Sequence, residues 1–228
     1  LEESSISAEV GKFNSYRALG LFNIINTNKQ AAYLAADFLQ TDGYFDSPQA
    51  LKRFNLMGKY SLHTNDTDLL VFSASTFSSN WKASGQIPDR AVNQGLIGFF
   101  GAIDDNEGGE TSRSNFSVQY NKHFEDHSAL KTRAYFNRYD FELYSNFTFF
   151  LNDPVNGDQI KQKESRNILG FESVYSRNYQ FNQSDLQLQA GAGLRYDDVN
   201  DIELSHTLNR STLIDPMMLG NLNESNTY

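Results

Sequence analysis

Stretches of about ten residues in which apolar and polar side chains alternate recur along this chain, joined by connections that are in turn very short and long. Residues 185–196 illustrate it: Leu186, Leu188, Ala190, Ala192, Leu194 and Tyr196 alternate with Asp185, Gln187, Gln189, Gly191, Gly193 and Arg195. Successive strand side chains point to opposite faces, so the segment has one greasy face and one wet face. Long strands of this kind, with connections of two lengths, predict an all-β antiparallel meander belonging to a transmembrane β-barrel. Such a chain is expected to be a conduit or receptor rather than an enzyme.

The pattern predicts about nine strands: 6–13, 16–24, 30–39, 51–62, 67–78, 111–124, 128–141, 167–175 and 184–196. Short turns are expected at 14–15, 26–29, 63–66, 125–127 and 177–183, and a loop with Asp-Gly and Ser-Pro turn pairs at 41–48. Longer loops are expected at 79–110 and 144–165, and a further one from Asp197 onward. The loop at 79–110 exceeds a simple hairpin connection and is suspect as functional. No capped helix-period segment and no solenoid repeat competes. The whole chain reads as one partial barrel domain, and its first and last strands are expected to carry unpaired edges.

The two faces agree from strand to strand. Phe54, Leu56, Gly58, Tyr60 and Leu62, then Phe116, Val118, Tyr120 and Phe124, then Leu130, Thr132, Ala134 and Phe136 are placed outward. The opposite face carries Arg53, Lys59, Arg113, Lys131, Arg133 and Arg195, which are expected to line the lumen. Two readings of these cations stand: a wall hydrogen-bonded to interior carboxylates and water, or a positively lined path for an anionic chelate. Outward Tyr60, Tyr120 and Tyr175 sit near the short turns, where a tyrosine girdle is expected at the periplasmic rim.

Composition bounds the alternatives. A mean hydropathy of -0.54 looks soluble, but barrels hide their hydrophobicity by alternating it. The longest apolar run, 95–103, falls well short of the roughly 20 residues of a spanning helix. The net charge of -9 argues against a nucleic-acid partner, which would need a basic stripe. Cysteine is absent, which removes thiolate chemistry and disulfides from these residues. The chain begins at Leu1 and reads as a piece of a longer protein.

No catalytic constellation emerges, and no cofactor is expected. His123 and His127 have a zinc-like spacing, but Phe124 stands where the metalloprotease pattern needs Glu, and the context is a turn rather than a helix. Asp104, Asp105, Asn106, Glu107 and Glu110 do not match the regular calcium loop; a hydrated acidic loop is preferred, with Asp104, Asp105 and Glu107 as weak calcium candidates. Gly191 and Gly193 sit within a strand rather than opening a helix, unlike a phosphate-binding motif.

In order and spacing, several short pieces resemble the early barrel of a TonB-dependent outer-membrane receptor of the Bacteroidetes-like kind. They are Ala32 to Ala36 leading into Thr41-Asp42-Gly43-Tyr44-Phe45-Asp46, the run from Ala83 to Val92, Phe100-Gly101-Ala102-Ile103-Asp104, Gly108 to Arg113, and Gly191 to Asp197. The resemblance covers essentially the whole chain. It implies a barrel of about 22 strands around an N-terminal plug, located in the outer membrane of a Gram-negative bacterium. It also implies outer-membrane lipid, the plug and the TonB complex as partners. The activity implied is active uptake of a scarce nutrient such as a siderophore-type metal chelate, cobalamin or a glycan.

A passive porin shares the same wall and is the alternative; a soluble carbohydrate-binding or adhesive β domain is a third reading. For the receptor, the 79–110 loop is expected to contact ligand through Trp81, Lys82, Arg90, Asn93, Gln94, Phe99 and Phe100, supported by 144–165. Aromatic faces beside amide and guanidinium donors suit a partly aromatic, oxygen-rich chelate or a sugar. The competing reading has Leu96, Ile97, Phe99 and Phe100 pin the loop to the rim.

Overall fold

The structure, a computed structural model of the chain, describes the backbone of residues 3–181 and 184–227, and side chains to residue 180 and from 184 to 211. Ten antiparallel strands follow one another in a single sheet, each paired with its sequence neighbour. They are β1 (Ser5–Gly11), β2 (Ser15–Asn26), β3 (Gln30–Thr41), β4 (Leu51–His63), β5 (Leu69–Ala83), β6 (Glu107–His123), β7 (Ala129–Ser145), β8 (Ile160–Phe181), β9 (Ser184–Leu208) and β10 (Thr212–Thr227). A single helical turn, α1 (Asp89–Asn93), interrupts the β5–β6 connection.

The wall stands taller than the hydrophobic alternation alone predicts. β8 and β9 run for 22 and 25 residues, beyond the roughly ten that cross a membrane. The expected loop beginning at Asp197 is instead the upper half of β9, a tight turn at 209–211 and the tenth strand β10. The edge of the described sheet therefore belongs to β10 rather than β9. Both expected long loops also shrink, to 84–106 and 146–159, because polar strand ends continue the ladder above the apolar band. Of the turn expected at 177–183, residues 177–181 prolong β8, and 182–183 lie outside the described residues.

No sandwich core forms among the described residues. Among the described residues only Tyr144 and Val199 are buried hydrophobics, while Phe116, Phe171, Leu188 and Leu194 are about half exposed. An apolar sheet face left open in this way is the pattern of a β-barrel wall that meets lipid. Register locates the strands relative to that apolar band. Phe116, Phe136, Leu169 and Tyr196 form one cross-strand row and top the band on β6 to β9. Followed the other way, the row passes Ala74 and Gly58 to Leu34, below the band's top on β3 at Phe38. A level band therefore crosses the register rows obliquely, so the strands tilt against it, as barrel closure requires.

The short-turn end is tied hairpin to hairpin. The His63 N–H donates to Lys29 O. The buried Asp68 carboxylate accepts from Tyr120 Oη at 2.8 Å and from the His123 N–H at 3.0 Å. Asp126 pairs with Arg177 at 3.1 Å. The Tyr60 hydroxyl donates to Gln30 Oε1. The girdle tyrosines therefore keep apolar rings in the band while their hydroxyls reach polar partners at its lower edge. His123 belongs to this tie, with Nδ1 at 2.8 Å from Thr67 O.

Candidate functional site: outer rim and lumenal wall

At the long-loop end the strands rise into a polar rim where burial concentrates: Ser84, Glu107, Ser145, Asn146, Asp158, Gln159, Ser205 and Thr207 are all buried. Buried polar groups need partners, and one network spanning three connections supplies several of them, while the Glu107 Oε1 oxygen is buried without a hydrogen-bond partner. Asp104 Oδ2 accepts from Asn146 Nδ2 at 3.0 Å and Gln159 Nε2 at 2.9 Å. Gln159 Oε1 accepts from Thr207 Oγ1 and from the Arg210 N–H. The Arg210 guanidinium donates from Nε to Asn106 O and from Nη2 to Glu107 O, and lies 5.3 Å from the Tyr144 ring centre. Gly108 makes this closure feasible: at φ +127° it passes within contact of Trp81 O and Arg210 Nη2, where a Cβ would stand 2.3 and 2.6 Å away.

The two loops are ordered by different chemistry. In 84–106, Phe100 meets Tyr44 edge-on at 5.4 Å and Phe99 at 5.1 Å, with Phe45 stacked on Tyr44 at 4.6 Å. The Asp46 N–H donates to Phe100 O, so this loop is fastened to the β3–β4 loop. In 146–159, Asp153 accepts from the N–H groups of Val155 and Asn156. Asp158 accepts from those of Asn152 and Asp153. Burial raises the Asp158 pKa, but these hydrogen bonds outweigh it and hold the carboxyl at about 2.

The wet face of the sheet carries several ion-paired cations, Arg166 with Glu164 at 2.9 Å among them. Arg17 and Arg53 both bind Asp37, at 2.8 and 3.1 Å, and Arg17 continues to Glu9. Arg195 binds Asp197 at 3.0 Å, and Arg133 lies 3.7 Å from Glu172. Higher up, one register row sets Phe77, Arg113, Tyr139 and Arg166 side by side on four successive strands. The Arg113 guanidinium lies 5.2 Å from the Tyr139 ring centre, and Tyr139 stacks on Phe141. Alternating guanidinium and aromatic groups present donors, positive charge and π-faces together.

Three solved structures share this architecture. The ferric-catecholate import receptor Fiu from E. coli K12 aligns over 98% of this chain and 37% of its own, with a TM-score of 0.67 and 10% identity. The unliganded ferric citrate transporter FecA aligns over 97% and 32%, with a TM-score of 0.73 and 10% identity. The FpvAI chain of the FpvAI–pyocin S2 complex aligns over 98% and 33%, with a TM-score of 0.67 and 11% identity. The fold is that of a TonB-dependent receptor barrel. This chain spans about a third of the length of each of those structures. No protein-family model and no curated protein matches it.

Within that receptor-barrel fold the candidate residues separate. Trp81 and Lys82 lie on β5 rather than in the loop; by register Trp81 shares the lumenal face with Ser79 and Arg53, and Lys82 points to the opposite side. Arg90 and Asn93 sit exposed on α1, with Gln94 as its C-cap. Phe99 and Phe100 belong to the aromatic fastening. Arg53, Lys59, Arg113, Lys131, Arg133 and Arg195 share by register one face of the sheet, opposite the apolar one. Among the described residues no group of three acidic or histidine side chains gathers around a metal-sized site; Asp104 is occupied by amide donors and Glu107 opens β6. Sequence periodicity does not single out Arg166, Tyr139, Phe77 or Arg210. Their grouping depends on strand register and on a contact spanning more than a hundred residues, which no local pattern announces.

Proposed function

We propose that this chain is part of the barrel of an outer-membrane receptor that takes up a siderophore-type metal chelate by TonB-dependent active transport. The observation that carries the reading is the wall itself. One face is apolar and open, the other is lined with guanidinium and aromatic groups, and the whole is built on the fold of proteins whose names are those of ferric-chelate importers. The Phe77–Arg113–Tyr139–Arg166 row offers planar cations and π-faces to an anionic, oxygen-rich and partly aromatic ligand. Trp81, Arg90 and Asn93 are proposed to meet the ligand first, with Phe99 and Phe100 holding their loop in place. The partners on this reading are a plug inside the barrel, the TonB complex and outer-leaflet lipid.

The test is uptake of radiolabelled ferric chelates by cells that rely on the full-length protein for iron, with and without collapse of the proton gradient. Active uptake predicts that accumulation stops when the gradient is lost and falls severalfold in an Arg113→Gln, Arg166→Gln variant at equal surface expression. Accumulation that survives collapse of the gradient, together with steady conductance in planar bilayers, replaces the reading with a passive porin.

A further inference from the structure

Below the Phe77–Arg113–Tyr139–Arg166 row, the wet face of β6–β9 carries further cations at successive heights. Register sets Arg195 in one row with Tyr135 and Gly170, Arg133 between Gln119 and Glu172, and Lys131 between Asn121 and Val174. Counted down β7 from Tyr139, these rows lie about 13, 20 and 26 Å lower, at about 3.3 Å per residue. Arg195 and Arg133 share the face with the carboxylates of Asp197 and Glu172. Lys131 is exposed and has no ion-pair partner among the described residues. It borders a recess of about 490 Å³ whose other walls include Asn121, His123, Glu172, Val174 and Gln189. Glu172 is the one carboxylate in that lining, and Arg133 stands 3.7 Å from it. The second lysine of the lining, Lys122, turns by register to the apolar face, with its ammonium 5.1 Å from the Phe124 ring centre. Gly193 and Gly191 end the two lowest of these rows on β9, so bare backbone flanks the recess there.

The geometry points to a second anion station low in the lumen, at which Lys131 receives an anionic, oxygen-rich chelate after it leaves the upper row. The station rests on the uptake reading, in which the wet face lines the lumen. The Asn121 and Gln189 amides supply neutral donors around the ammonium. A transit site must release what it binds, and a flexible ammonium holds an oxygen anion without the two-point grip of a guanidinium fork. Passage is thereby placed along β6–β9 rather than β2–β4, where the same face is built differently. Leu21, Ala35 and Met57 stand side by side there, Met57 is 40% exposed, and Arg17 and Arg53 are both bound by Asp37. Exposed apolar side chains beside neutralised cations suit the packing of a protein surface and offer a passing anion little to hold. Lys59 is an exposed cation on β4, three strands from Lys131, or about 14 Å around the wall at about 4.8 Å per strand.

The test separates binding from passage. Cells that rely on the full-length protein are given radiolabelled ferric citrate, a ferric triscatecholate or a ferric trihydroxamate, and the chelate that wild type accumulates is used throughout. Binding affinity is measured with the proton gradient collapsed, and the maximal uptake rate with it intact. Lys131→Gln is expected to leave affinity at the wild-type level and to lower the maximal rate about tenfold, with Lys131→Arg recovering part of the loss. Lys59→Gln, an equal loss of charge on β4, is expected to change neither. Heat-modifiable gel migration and surface labelling verify that each variant folds and reaches the membrane. An unchanged maximal rate in Lys131→Gln, or equal effects of Lys131→Gln and Lys59→Gln, overturns the station. So does a Lys131→Gln barrel that leaks small solutes without ligand, because the lysine then serves to hold the interior domain. Wild-type cells that accumulate none of the chelates overturn the uptake reading itself, and the station falls with it.

Discussion

Replacing Arg210 with alanine tests whether the rim is held by its polar network. The guanidinium donates to Asn106 O and Glu107 O and lies over the Tyr144 ring. A hydrogen bond with one charged partner contributes about 1.5–3 kcal/mol, and a partly exposed cation–π contact about 0.5–1 kcal/mol. Arg210 is half-buried, so the lower ends apply, and the loss comes to about 3–4 kcal/mol. At 1.4 kcal/mol per tenfold, local opening should become about 10²–10³ times more frequent. The link from Gln159 to the Arg210 N–H is a backbone bond and survives the substitution. Hydrogen exchange read by mass spectrometry should therefore show the amides of 104–109 losing protection by that factor. Residues 146–159 should change much less, and 116–121 in the membrane band not at all. Arg210→Lys, which keeps the charge but not the fork, should recover only part of the protection. Unchanged exchange at 104–109, or uniform loosening of the whole rim, would refute the reasoning.

Three further outcomes follow from the same geometry. The Asp68 carboxyl is held at about 2, below its ordinary 3.8, first by the His123 N–H and then by the Tyr120, Asn65 and Thr67 donors. Because its folded pKa is depressed, this stabilisation is complete above the ordinary value and disappears as pH falls from about 4 through about 2. Heat-modifiability should show an acid-sensitive step in that window that Asp68→Asn abolishes. Gly85 has φ +64° with Glu107 Oε1 2.1 Å from where a Cβ would stand, while Gly95 has φ +74° in open space. Gly95→Ala should cost only the left-handed backbone penalty of about 1–2 kcal/mol, and Gly85→Ala measurably more, read as a larger drop in thermal midpoint. Phe100→Ala removes the ring that fastens 84–106 to the β3–β4 loop; at 43% exposure about half the usual loss applies, or about 1.5–2.5 kcal/mol. Protease cleavage within 89–99 on intact cells should rise by about ten- to sixtyfold.

Much of this molecule is local information. Strand alternation has a period of two, so the apolar and polar faces, the grouping of the cations from Arg53 to Arg195 on one of them and the tyrosines near the short turns all follow from single segments such as 51–62 and 185–196. The short turns followed from their polar residues, and the barrel from the alternation of connection lengths. What the chain alone left open was decided by pairing. The segment from Asp197 reads as loop because its charges break the apolar alternation. It is nevertheless strand, because above the membrane a ladder needs only a partner for its N–H and C=O groups, and β8 and β10 provide it. Trp81 moved from loop to strand for the same reason. The Phe77–Arg113–Tyr139–Arg166 row exists only in register, since each strand contributes one residue and a shift by one would turn every side chain to the other face. Arg210 closing over Asn106 and Glu107 joins chain ends of the rim that no sequence window contains. Periodicity along one strand is written in the residues themselves, whereas adjacency between strands is a property of the sheet.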